Sequence, residues 1–296
     1  MKKITLVLLL FMTTLSLYPQ WTEDTAVNTL VANSNADDSK SVVGSNDKTY
    51  IVFWKPVPTI NYELRLQILD ADGNQELGTD GALISNTIPM GTFTQIWSLS
   101  IDKNDNIYVG LTGTNGNGGF VFKLDASGNN LWSSDGISLG TAYLVRTLPL
   151  DSGEVMVSWL NGSSFAGEIQ KFDENGNGIW GAPASLGSGT VSANMYELSN
   201  QDIVSVYHQL GSGINSTMYA QRFNSSGVSQ WANPTQLFAT GNTTTYNTTY
   251  YGVQDGDTIY YSYKLAHDNR FDAYVQRINP DGTLPWGITG MDFDTN

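Results

Sequence analysis

Apolar residues in this chain come in short runs, each entered through a cluster of Asn, Asp, Ser, Gln or Gly. The runs are NDKTYIVFW (46–54), NDNIYVGL (104–111), SGEVMVSW (152–159), NQDIVSVY (200–207) and DGDTIYYSY (255–263). Their β-branched and aromatic content predicts strands that follow tight turns. A second block comes after each run: LQILDADGNQEL (66–77), VFKLDASGNNLW (121–132), IQKFDENGNGIW (169–180), AQRFNSSGVSQW (220–231) and VQRINPDGTLPW (275–286). Its first half alternates in polarity, as a strand does, and its Asx-x-x-Gly predicts a hairpin. Gly73, Gly128, Gly176, Gly227 and Gly282 would supply the positive φ. No stretch keeps a helical apolar period over eleven residues, so no helix is expected beyond the first nineteen residues.

The hairpin glycines recur at intervals of 55, 48, 51 and 55 residues. Four short strands per ~50 residues predict an all-β fold, a β-propeller whose four-stranded blades stack face to face. Five repeats are visible, with blades near 38–88, 92–139, 142–188, 190–239 and 243–292. Trp132, Trp180, Trp231 and Trp286 fall at one place after the glycine and are expected to be buried anchors between blades. Leu77 holds that place in the first repeat. Residues 20–31, headed by Gln20-Trp21, read as a fourth strand with no third strand before it. A propeller often closes by letting one terminus complete a blade begun by the other. The expectation is a truncated frame, with a sixth blade's first strands following Asn296.

The run from Gln276 to Trp286, preceded by a blade-like strand pair, resembles the secreted propeller repeats common in Bacteroidetes. Those repeats often stand upstream of a C-terminal type IX secretion sorting domain, which is not recognisable here. The resemblance covers residues 20–296 and implies a blade, not an activity. A weaker likeness, to the sialidase Asp-box, departs in spacing at Asp125, Gly128 and Trp132.

Met1-Lys2-Lys3 followed by an apolar stretch from Ile4 to Leu17 predicts a signal peptide over 1–19, too short for a membrane span. A secreted protein, or one on the outer surface of a Gram-negative bacterium, is therefore expected, with no transmembrane segment in the mature chain. The 296 residues include 28 acids against 14 Lys and Arg, for a formal charge of −14. With no basic cluster, nucleic acid is not an expected partner. The lack of cysteine removes disulfides, thiolate metal sites and a cysteine nucleophile, and two histidines cannot make a three-histidine centre.

Candidate chemistry is sparse. Asp70 and Asp72 resemble the start of a calcium loop, but Gly73 arrives two residues early, and a structural turn is the better reading. No cofactor is expected. Glu63, Glu154, Glu168, Glu197 and Asp272 could serve a two-carboxylate hydrolase, yet no spacing pairs them. His208 ends a strand, and His267 beside Asp268 reads as a surface pair. In propellers the first strand of each blade lines the central channel, which nominates Trp97, Arg146, Tyr196, Glu197 and Tyr250 for ligand contact. The leading expectation is a non-catalytic binding or scaffold module for a glycan or protein. The alternatives are a carbohydrate-active hydrolase or lyase using channel carboxylates, and an accessory domain of a longer secreted enzyme.

Overall fold

A computed structural model of the chain describes residues 29–33, 35–58, 61–86, 97–113, 118–212, 215–245, 251–267 and 270–293. The expected signal peptide, residues 20–28 of the expected closing strand, Tyr250 and Asp268 lie outside them. Every regular element among the described residues is a strand. β1 (Asp37–Val43), β2 (Thr49–Val57), β3 (Asn61–Leu69) and β4 (Ala82–Ser85) form a meander in that order. A seven-stranded sheet follows, built from β5 (Ser98–Ile101), β6 (Ile107–Thr112), β7 (Gly118–Leu124), β8 (Ile137–Pro149), β9 (Val155–Asn161), β10 (Ala166–Phe172) and β11 (Ala184–Ser188). The next sheet holds β12 (Asn194–Glu197), β13 (Ile203–Leu210), β14 (Asn215–Phe223) and β15 (Thr235–Gln236), with β16 (Thr244–Thr245) also paired to β14. The last is β17 (Gly252–Asp255), β18 (Thr258–His267), β19 (Arg270–Ile278) and β20 (Met291–Asp292).

The apolar runs of the sequence are β2, β6, β9, β13 and β18, and most are buried on both faces because their alternate residues enter different cores. Ile107 and Val109 of β6 pack with Val52, Leu64 and Leu66 of the first sheet. Tyr108, between them, points the other way and packs with Val145, Val155 and Val157. Met156 of β9 joins Ile203, Tyr207 and Phe223. Val204 and Val206 then pack with Ile259, Tyr261 and Tyr263 of β18. Successive groups of strands thus pack face on face. The outer face of the first sheet, at Ile51, Phe53 and Leu69, is packed by Val31 and Ala32.

Two features depart from the sequence reading. A fourth strand and the next first strand were expected to be separate around 139–142. Instead they are one strand, β8, which pairs β7 on one side and β9 on the other. A bulge between Tyr143 and Arg146 lets it serve both, with Leu144 at φ 56°. The tryptophans also differ. Trp180 is 6% exposed, whereas Trp132, Trp231 and Trp286 are half-buried. They lie across the hairpin rim and not in the sheet interior. The indole N–H of Trp132, Trp180 and Trp231 donates to the carbonyl of Glu174, Ser225 and Pro280 in the following repeat, at 2.9, 2.9 and 3.2 Å.

Each of these rings lies over the next repeat's hairpin glycine. A Cβ on Gly227 would sit 2.7 Å from Trp180, and one on Gly282 would sit 2.9 Å from Trp231. The hairpin glycines, Gly73, Gly128, Gly176, Gly227 and Gly282, all have φ between 80° and 85°. In the same turns Asp70 accepts the backbone N–H of Asp72 (3.0 Å) and Asn74 (2.8 Å) on one oxygen and the Asn74 amide on the other (3.0 Å). These bonds hold its carboxyl below the usual aspartate range, the Asn74 side chain contributing most.

A buried glutamine on the third strand completes the unit. Gln170 accepts from the Lys171 and Trp180 N–H groups (2.9 and 3.3 Å) and donates to the Trp180 carbonyl (3.2 Å). Gln221 makes the same three bonds with Arg222 and Trp231, Gln67 and Gln276 accept from the next residue's N–H and donate to the carbonyls of Gly78 and Gly287, and Phe122 stands at that place in the second repeat.

Candidate functional site

The first strands converge on a cavity of about 230 Å³ lined by Ser98, Arg146, Thr147, Ala193, Asn194, Met195, Tyr196, Tyr251 and Gly252. Ladder pairing explains the convergence. Lys40, Ser98, Arg146 and Asn194 oppose Val52, Gly110, Ser158 and Val206, which hold one place on β2, β6, β9 and β13. Tyr251 faces Ser262 of β18 in the same way, its carbonyl accepting the Ser262 N–H at 2.9 Å. All five residues stand four positions before the start of their turn, at Gly44, Asp102, Leu150, Leu198 and Asp255.

Inside the cavity the polar groups form a chain. Arg146 Nη1 donates to Asn194 Oδ1 at 2.8 Å, and Asn194 Nδ2 donates to the Tyr261 hydroxyl. Tyr196 stands edge-on to Tyr261, with ring centroids 6.3 Å apart. Burial pushes the Tyr196 hydroxyl far up, so it keeps its proton at neutral pH. A side chain at Gly252 would collide with that hydroxyl. Burial lowers the Arg146 pKa, and the groups that act against the shift are Tyr261, Tyr196 and Tyr251. His208 is 7% exposed, its Nδ1 2.7 Å from the Ser216 hydroxyl. Burial first and the Arg146 charge second push its pKa down to about 4, so it is neutral at pH 7.

Of the residues nominated from sequence, Arg146 and Tyr196 line the cavity together. Trp97 lies elsewhere: it is 4% exposed, edge-on to Trp54, and donates to Asp38. Glu197 also points away, accepting the Asp151 N–H at 2.8 Å as a tie between repeats. Both are one residue out of phase with a cavity position, and in a strand that turns the side chain to the other face. Tyr250 lies outside the described residues, and its neighbour Tyr251 lines the cavity. Ser98, Asn194 and Tyr251 were missed. Counting four back from each turn would have found them.

The candidate hydrolase acids are engaged away from the cavity. Glu63 pairs with Arg65 (2.8 Å), Glu154 with Lys171 and Asp272 with Arg270 (2.8 Å), while Glu168 accepts the Asn161 amide (3.0 Å). Among the described residues no group of three His, Cys, Asp or Glu could hold a metal ion. Nor, among the same residues, is any helix long and apolar enough to cross a membrane.

Fold and cavity together define a class, the β-propeller-like all-β proteins. No protein-family model and no curated protein matches the sequence. Solved structures do. One is a protein of unknown function from Dyadobacter fermentans, with TM-score 0.53 and 15% identity over 86% of this chain and 84% of that one. Another is an ulvan lyase of a polysaccharide lyase family, bound to GlcA(1-4)Rha3S, with TM-score 0.52 and 14% identity over 89% and 76%. At these identities the likeness is one of fold.

Proposed function

We propose that this chain is an exported, non-catalytic β-propeller of five four-stranded blades that binds a glycan where its first strands meet. The observation that carries the reading is the lining of that cavity. It is built from tyrosine, amide, hydroxyl and guanidinium groups, with no carboxylate among its described residues. Sugars offer C–H faces to rings and hydroxyls to amides, whereas two-carboxylate hydrolysis needs acids that this site does not present. The meander order of the sheets supports the blades, the fourth strand of the second unit and the first strand of the third being fused in β8. That a lyase of similar fold binds GlcA(1-4)Rha3S supports a sugar over a protein ligand. The likeness to secreted Bacteroidetes repeats and the basic-then-apolar N-terminus support export.

The test is a glycan array on the mature chain, run beside a screen of the same sugars for reducing ends and unsaturated uronates. Binding without product is expected. Product formation that follows the purified chain would replace the non-catalytic reading, and an array blank for every sugar would remove the glycan.

A further inference from the structure

Resting on the glycan reading, we propose that Arg146 makes the cavity an anion subsite, which takes the carboxylate or sulfate of an acidic sugar. Arg146 Nε has no accessible surface and no hydrogen-bond partner, and Nη1 is held by a neutral amide. Among the described residues no carboxylate pairs with it, and the side chains that act on its charge are tyrosines. Arg146 is half-buried, and enclosing part of a guanidinium without a counter-charge is unfavourable, so packing alone does not favour it here.

The repeat does not demand the charge either. Ser98, Asn194 and Tyr251 fill the same ladder place with neutral side chains, and Lys40 in the first repeat lies 5.1 Å above the Trp97 ring. The backbone is also bent at this point. Leu144, a residue disfavoured in the left-handed region, sits at φ 56° in the bulge after which Arg146 regains its register. Backbone strain of this kind collects at ligand-binding positions.

The chemistry of the occupant follows from the guanidinium fork and its charge. With Nε enclosed and Nη1 held by Asn194, the N–H groups left on the fork can donate to an oxygen of a carboxylate or sulfate, and the charge favours an anion over a neutral group. Tyr196 and Tyr251 supply rings for the sugar, and Ser98 and Thr147 supply hydroxyls. At about 230 Å³ the space is below the ~300–1,000 Å³ of common ligand sites and suits one terminal sugar.

Calorimetric titration of the mature chain tests this with three disaccharide sets of equal length: uronate-ended, sulfate-ester and neutral. One acidic set should bind at least about tenfold tighter than the neutral set, and which set does so separates carboxylate from sulfate. Arg146→Gln should erase that preference, so that the variant binds its acidic and neutral sets equally, whatever affinity the neutral set keeps. Its unfolding midpoint should not fall, since a half-buried charge without a counter-ion has been removed. Should Arg146→Gln fail to fold, Arg146→Lys takes its place, keeping the charge and losing the fork, with a weakened acidic preference expected. Equal affinity for acidic and neutral sugars, or an acidic preference that survives both variants, overturns the anion subsite and leaves the glycan reading standing. Silence from all three sets overturns both.

Discussion

A methyl group on Gly227 would lie 2.7 Å from the Trp180 ring, on a backbone at φ 80°. Gly153 has a similar φ of 90° with nothing near its missing Cβ. The two positions separate strain from collision. Gly153→Ala should cost only the left-handed penalty of about 1–2 kcal/mol. Gly227→Ala should add about 1–3 kcal/mol of overpacking, because the ring beneath is tied through Ser225 and cannot slide. Urea midpoints of the two variants check this, and equal losses would mean that Trp180 yields freely. These turns were legible because their chemistry is local. Asx at the first position and Gly at the fourth define the hairpin whatever surrounds it. Side-chain facing was less so: Trp97 and Ser98 are adjacent, and only the phase counted from Asp102 tells which one meets the cavity.

A repeat is closed by its glutamine as much as by its hairpin. Gln170 holds the strand-three backbone and the turn leading to strand four with three bonds, on a side chain 5% exposed. Gln170→Leu keeps the volume and leaves buried N–H and C=O groups without partners, each worth about 1–3 kcal/mol. A loss of about 2–4 kcal/mol in chemical denaturation is expected from two such groups with partial relaxation. The second repeat, with Phe122 at this place, shows that packing can substitute when the surroundings are shaped for it. The glutamine column was visible in the repeats but carried no signal of burial, since glutamine in a strand normally faces water. The fusion in β8 was not visible at all. Nothing in Leu144 marks a bulge, and Gly140 reads as a break between strands when it in fact lies inside one.

Across the whole molecule stability should be uneven. β9 and the first six residues of β13 lie between two cores each and are buried or nearly so along their length. The last sheet has one such core, while its other residues include Val253, Phe271, Met291 and Phe293 at 69, 45, 46 and 65% exposure. In stacked repeats each interface contributes its own share of stability, so units with one neighbour open first. Native-state hydrogen exchange should find the β18 and β19 amides at least about tenfold less protected than those of β9 and β13. Uniform protection would show instead that the stack opens as a single cooperative body.

The tie between repeats has a direction. The indole at the end of one repeat reaches forward to the glycine and carbonyl of the next, as Trp132 does to Gly176 and Glu174, Trp180 to Gly227 and Ser225, and Trp231 to Gly282 and Pro280. Every repeat of this kind carries a plug at one end and a socket at the other. A gene segment duplicated in tandem therefore inherits a finished joint on both sides, with no compensating change required. Leu77 over Gly128 shows the same joint working with a plainer plug. The number of repeats in such a chain can therefore change without repair at the joint, while the residues at the cavity position, Lys40, Ser98, Arg146, Asn194 and Tyr251, differ at every repeat.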